Sequence, residues 1–162
     1  MSYDLGGGIW GKAPSHNTPL NRIDTMISDN FTKKGFPKEK ISIGLANYGF
    51  IYDGLNPGVK TQEKLSAYGR YFSYNELDEL LKSGWKEVFD QEARSSYYFS
   101  PDNSKFVTVD NHNSISEKMK LIKSNGFNSC FWWEYHCDLV EGRGNEKWQN
   151  LLIDHAISLT SK

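Results

Sequence analysis

The run Lys40-Ile41-Ser42-Ile43-Gly44-Leu45-Ala46-Asn47-Tyr48-Gly49 is short, apolar and bounded by turn residues, and it reads as a buried strand. Upstream of it, Leu20, Ile23, Ile27 and Phe31, with Met26 beside them, recur at helical spacing, and Gly35 and Pro37 supply a stop. A Gly-rich loop, Gly6 to Pro19, precedes that helix. Loop, helix, loop and strand in this order make one half-turn of an α/β fold.

Downstream, the stretch from Phe50 to Asp110 breaks the rhythm. It has a turn at Asn56-Pro57-Gly58, one helix around Tyr74 to Leu81, and aromatic strand-like pieces at Tyr97 to Phe99 and Phe106 to Val109. The rhythm then resumes. Ser114-Ile115-Ser116-Glu117 has the pattern of a capping box, Ile115, Met119 and Ile122 follow at helical spacing, and Gly126 closes the helix. Phe127 to Glu134 reads as the next strand, and a last amphipathic helix carries Trp148, Leu151, Leu152, His155 and Leu159. The division that follows is an α/β part over 1–49 and 111–162, interrupted by an α+β insertion over 50–110. Without the insertion about 100 residues remain, enough for about three βα units. Three strands cannot close a barrel, so unless something covers them two edges of a parallel sheet are left open, and the fold is either a small open sheet or part of a larger one.

Length and composition bound the function classes. The 162 residues suit one domain with a sizeable core. Aromatic residues make up 14% of the chain, with five Trp, nine Tyr and nine Phe, an excess that suits a groove stacking on sugar faces. A net charge of -1 gives no electrostatic reason to expect a nucleic acid or membrane partner. No apolar run approaches the roughly 20 residues of a membrane span. Met1 leads straight into Ser2-Tyr3-Asp4 and a Gly-rich loop, with no signal-peptide pattern. Cys130 and Cys137 do not make a disulfide framework. His16, His112, His136 and His155 form no metal pattern with them, His155 fitting a helix face and the others loops. No metal and no cofactor is expected.

Several segments, taken in order, resemble the last three barrel strands of glycoside hydrolase family 18 chitinases. Met1-Ser2-Tyr3-Asp4 resembles the family's Met-x-Tyr-Asp at the end of strand six. Ile43-Gly44-Leu45-Ala46-Asn47-Tyr48-Gly49 resembles the Gly-x-x-x-Tyr-Gly of strand seven, which leads into the chitinase insertion domain. Phe131-Trp132-Trp133-Glu134, with Asp138, resembles strand eight. His16-Asn17-Thr18-Pro19-Leu20 and Val109-Asp110-Asn111, followed by Ser114 to Lys118, match further family segments. The resemblance implies the C-terminal portion of a TIM (β/α)8 barrel with an inserted α+β domain. Two departures stand out. The acid motif Asp-x-x-Asp-x-Asp-x-Glu of strand four occurs nowhere in these residues, and Phe50 stands where the family often has Arg.

The resemblance implies roles residue by residue. Tyr3 would hydrogen-bond the sugar's acetamide group, which serves as the nucleophile in this family, and Asp4 would contact the sugar and influence the acid's proton. Trp133 would be the floor beneath the distorted sugar, since strand alternation sets Phe131 and Trp133 on one face and Trp132 on the other. Trp10 would stack a further sugar, Tyr48 would contact the sugar or close the wall, and Met1 would pack below the ring. Glu134 and Asp138, a tempting carboxylate pair, fall at the strand's exit and are expected to be structural or to touch the sugar.

The expected activity is hydrolysis of β-1,4 links in chitin or N-acetylglucosamine oligomers with retention, the chain alone being inactive for want of its acid. Two other readings are a non-catalytic, lectin-like chitin-binding module and a truncated remnant that self-associates. The expected partners are the oligosaccharide and either a missing N-terminal half or a second copy at the open edges. The family is often secreted, which leaves localisation open.

Overall fold

The computed structural model describes residues 1–142 and 147–160. Helix α1 (Leu20–Asn30) leads to strand β1 (Ser42–Ala46), which continues past Asn47 into β2 (Tyr48–Asp53). Then follow β3 (Gly69–Ser73), α2 (Leu77–Lys82), β4 (Lys86–Asp90), β5 (Ser95–Phe99) and β6 (Lys105–Thr108). The chain goes on through α3 (His112–Asn125), β7 (Ser129–Trp133), the short pair β8 (Leu139–Glu141) and β9 (Trp148–Asn150), and α4 (Leu151–Thr160).

Strands β1 and β7 pair in parallel, from Ser42↔Ser129 to Ala46↔Trp133. Among the described residues neither has a second strand neighbour, so the partial barrel keeps two open edges. The period-two alternation of a strand sorts their side chains. Ile43 and Leu45 pack with Ile23 and Ile27 of α1, Ile115, Met119 and Ile122 of α3, and Leu152 and Ala156 of α4. Cys130 and Trp132 turn to this same cluster. Phe131 and Trp133 face the other way and stay 40% and 51% exposed, so the alternation expected for β7 holds.

The insertion is a five-stranded antiparallel sheet in the order β3-β2-β6-β5-β4. Two of its strands, β3 and β4, lie in stretches the sequence reading leaves unassigned. Tyr48 and Gly49, ahead of residue 50, already belong to β2. Gly49 has to be glycine there, because a Cβ would sit 1.7 Å from the Thr108 carbonyl oxygen.

Several sequence expectations need correction. Met1 to Asp4 is not a strand. The Asp4 amide that a ladder would use donates to Asn17 Oδ1 (2.8 Å), and Tyr3 meets β1 through its ring over Gly44. Helix α1 stops at Asn30, short of Phe31, whose ring packs edge-on against Phe36 at 5.6 Å. Helix α3 starts at His112, which is therefore not in a loop. Its capping box is Asn111 with Ser114, each side chain accepting the other's amide proton, and not Ser114 with Glu117. Trp148 lies in β9 opposite Glu141 and not on the last helix, which begins only where Asp138 accepts the Leu152 and Ile153 amides.

One buried ion pair ties barrel to insertion. Lys118 Nζ of α3 donates to Asp110 Oδ1, and the Thr18 hydroxyl donates to Asp110 Oδ2 at 2.8 Å. Ser95 of β5 in turn donates to the Thr18 carbonyl. Lys118 and Asp110 are both essentially inaccessible, so removing one strands the other in low dielectric. Lys118→Met is expected to cost about 3–5 kcal/mol of stability, read from its urea midpoint. A loss below about 1 kcal/mol would show that the pair is not holding these layers together.

Candidate functional site

The site begins at Asp4, where the backbone is left-handed (φ 60), a conformation that costs a non-glycine residue and concentrates at functional positions. Three bonds hold it there. The Asp4 carbonyl accepts from Gly7 N (3.1 Å), its amide donates to Asn17 Oδ1, and its carboxylate accepts the Tyr48 hydroxyl at 2.7 Å. Asn17 is buried and also donates from Nδ2 to the Tyr48 carbonyl at 2.9 Å. One side chain thus fixes Asp4 relative to the first residue of β2.

Aromatic rings extend from this point. Tyr3 meets Tyr48 edge-on at 5.9 Å, and Tyr48 stacks on Tyr71 of β3 at 4.5 Å with a 12° interplanar angle. Tyr71 packs edge-on against Phe50 at 5.4 Å, and Phe50 against Trp10 at 6.3 Å. Tyr71 also lies beside the Trp133 indole. Burial pushes the phenols of Tyr3, Tyr48 and Tyr71 up from their ordinary value, and Asp4 adds to the shift in each. All three therefore stay protonated donors at neutral pH.

Trp10 projects from a loop that the insertion pins. Leu65 N donates to the Gly11 carbonyl, Ser66 N to that of Ile9, and the Tyr52 hydroxyl to that of Gly8. The indole itself is 57% exposed. Phe50, at the position of the family's Arg, is fully buried within this aromatic group.

Trp133 ends β7, and the backbone just beyond it is fixed by Asn47. The Asn47 side chain accepts from Glu134 N at 2.7 Å and donates to Asp138 Oδ1 at 2.7 Å. Asp138 is fully buried and holds Asn150 and the first amides of α4, a structural task in keeping with its expectation. Glu134 is partly exposed and sits 3.3 Å from His136.

The structure thus brings together Tyr3, Asp4, Tyr48 and Trp10 through contiguous rings, with Trp133 reaching the group at Tyr71. Met1 has its backbone over Gly44 beside the Tyr3 ring but is no part of the ring-to-ring contacts. It is 82% exposed and lines a cavity of about 300 Å³ with Met26, Phe31, Phe36 and the start of β1. Sequence reasoning misses Tyr71, although the aromatic run Tyr68 to Phe72 was the available signal. It also misses Asn17 and Asn47, whose single buried amides carry no pattern. Nor does it foresee that Glu134, His136 and Cys137 converge, their ligand atoms within 4.8 Å of one another.

The fold is thus a parallel β1–β7 pair backed by helices, with an antiparallel sheet inserted between its two strands and a solvent-facing indole at the end of β7. Residues 1–138 match the family described as Glycosyl hydrolases family 18, and the chain belongs to it. It is 30% identical to an endochitinase of Brugia malayi over 88% of its own length and 32% of that protein's. A solved family 18 N-acetylglucosaminidase from Paenibacillus barengoltzii is 26% identical, with a TM-score of 0.76 over 98% of this chain and 47% of that one. A plant class V chitinase mutant from Cycas revoluta, solved in complex with (GlcNAc)3, shares the fold at 23% identity and a TM-score of 0.71, over 85% of this chain and 41% of that one. The chain therefore spans 32–47% of the length of these relatives.

All four polar groups of Asn47 are engaged, since its amide donates to the Trp133 carbonyl (3.3 Å) and its carbonyl accepts from Tyr74 N (3.1 Å). Asn47→Ala leaves the buried Asp138 short of one donor and the Glu134 amide without its acceptor. The expected loss is about 2–4 kcal/mol in a denaturant titration. A loss under about 0.5 kcal/mol would show that these bonds do not hold the end of β7.

Proposed function

We propose that this chain forms one wall of a groove for β-1,4-linked N-acetylglucosamine oligomers, with Trp133 under the reacting sugar and Tyr3 and Asp4 beside its acetamide group. The observation that carries this reading is the exposed Trp133 indole adjoining, through Tyr71, a Tyr-Asp group held in a strained backbone. Such an indole offers a flat apolar face to a sugar ring, while the phenols and carboxylate offer donors and an acceptor to its polar substituents. Membership of family 18 supports the hydrolase reading, and the (GlcNAc)3 bound by the Cycas enzyme supports the choice of sugar.

In the complete reaction the acetamide oxygen attacks C1, the bond from C1 to the leaving sugar breaks, and the leaving oxygen takes a proton from a general acid. Water then opens the oxazolinium ring with retention. Tyr3 would hold the acetamide in line for attack, and Asp4, fixed by Asn17 and Tyr48, would supply the nearby negative charge. The acid would come from outside these residues, since the acid motif is not among them. A segment supplying it would pair with the open edges of β1 and β7, and residues 50–110 would serve as the family's insertion domain flanking the groove. Met1 would contribute only if such a segment repositions it.

The same missing motif favours a second reading, a lectin-like module that binds without hydrolysis. A third, self-association of a remnant, draws on the two open strand edges. Calorimetric titration with the N-acetylglucosamine tetramer tests the binding wall common to the first two. Trp133→Ala is expected to weaken binding at least about tenfold, equivalent to about 1.4 kcal/mol. Equal affinity of the two proteins, or no binding by the unaltered chain, would remove the basis of the proposal.

A further inference from the structure

The turn that follows β7 brings three unlike ligand types to one point. Glu134 Oε1 lies 3.3 Å from His136 Nε2 and 3.6 Å from Cys137 Sγ, and the three atoms lie within 4.8 Å of one another. A tetrahedral zinc centre, with Zn–N and Zn–O near 2.0–2.1 Å and Zn–S near 2.3 Å, has N···O edges of about 3.3 Å and S···O edges of about 3.5 Å. Both observed separations match those edges. The His136–Glu134 separation is also longer than an ordinary charge-assisted hydrogen bond, about 2.7–2.9 Å.

The backbone under these groups is already fixed. Glu134 N donates to Asn47 Oδ1 (2.7 Å), Asn150 Nδ2 to the Tyr135 carbonyl (2.6 Å), Leu139 N to that of His136 (3.2 Å), and Asn75 N to that of Cys137 (2.8 Å). Glu134, Tyr135 and Cys137 thus each have a main-chain atom tied to a distant part of the fold and His136 one tied within the turn, so little backbone ordering remains to be done when an ion arrives. Cys137 is buried, with the Ser73 hydroxyl 3.5 Å from its sulfur, whereas His136 is 69% exposed and Glu134 36% by side chain. The cluster is therefore reached from solvent on the side of His136 and Glu134.

We propose that Glu134, His136 and Cys137 form a binding site for one borderline-soft divalent cation of the zinc class. Thiolate, imidazole and carboxylate together select such an ion over calcium or magnesium, which take oxygen ligands. Binding exchanges the Cys137 thiol proton, released to solvent, for a metal–sulfur bond. The ion would clamp the turn immediately after Trp133, on the barrel side of the insertion's Ser73. This site is independent of any sugar.

Cobalt titration of the full chain under reducing conditions tests it. The expected result is a near-ultraviolet sulfur-to-cobalt charge-transfer band that saturates at one equivalent and is displaced by zinc. Cys130→Ser keeps the band, Cys137→Ser loses it, and His136→Gln weakens cobalt binding at least tenfold. No band, a band that survives Cys137→Ser, or one that requires Cys130 would overturn the proposal. If circular dichroism shows that Cys137→Ser does not fold, the exposed His136→Gln decides, and unchanged affinity there is equally contrary.

Discussion

Asn47 stands where the parallel strand of the barrel becomes the first long strand of the insertion, and its four polar groups hold three different pieces of chain, the Trp133–Glu134 peptide at both its ends. They fix the carbonyl of Trp133, the amide of Glu134, the carboxylate of Asp138 and the amide of Tyr74. Asp138 passes the constraint on by accepting the first amides of α4 and the side chain of Asn150. The position of Trp133, the start of the last helix and the entry to the inserted sheet thus depend on one buried amide. Buried polar groups of this kind are costly unless fully paired, and full pairing restricts the arrangements available to the chain.

The other half of the site depends on a similar device. Asn17 fixes the Asp4 amide and the Tyr48 carbonyl, so Asp4 keeps its left-handed backbone and its carboxylate stays beside the Tyr48 hydroxyl. Tyr48 and Tyr71 stack between this corner and Trp133, and Phe50 carries the packing out to Trp10. The rings are contributed by the Gly-rich loop, by β2 and β3 of the insertion, and by the barrel strand β7. The insertion therefore belongs to this aromatic group as much as the barrel does. Binding groups held by packed rings and paired amides lose little freedom when a ligand arrives.

The period of the hydrophobic pattern made much of this legible. The stretches Lys40 to Gly49 and Phe127 to Glu134 read as strands because both lie against a helix layer, and alternation told Trp133 from Trp132. The family motifs pointed to Tyr3, Asp4 and Tyr48, which the structure joins. What escaped reading were features fixed by tertiary partners. Helix α4 starts at Leu151 because Asp138 waits for its amides, although Trp148 falls on the helical period. Asn111, not Ser114, caps α3, since its own amide can reach the Ser114 hydroxyl. Strand β3 went unread, and Tyr71 with it, because Gly69 and Arg70 interrupt its aromatic run and the pairing with β2 makes it a strand.

The central claim is that these residues hold and orient the sugar while the proton comes from elsewhere. Release of the chromophore from a chitobioside substrate measures this directly, with the purified chain alone and mixed with a polypeptide carrying the family's acid motif. The account predicts no turnover by the chain alone and turnover on mixing. Turnover by the chain alone would contradict it and place the acid among its own carboxylates, with Glu134 the first to substitute.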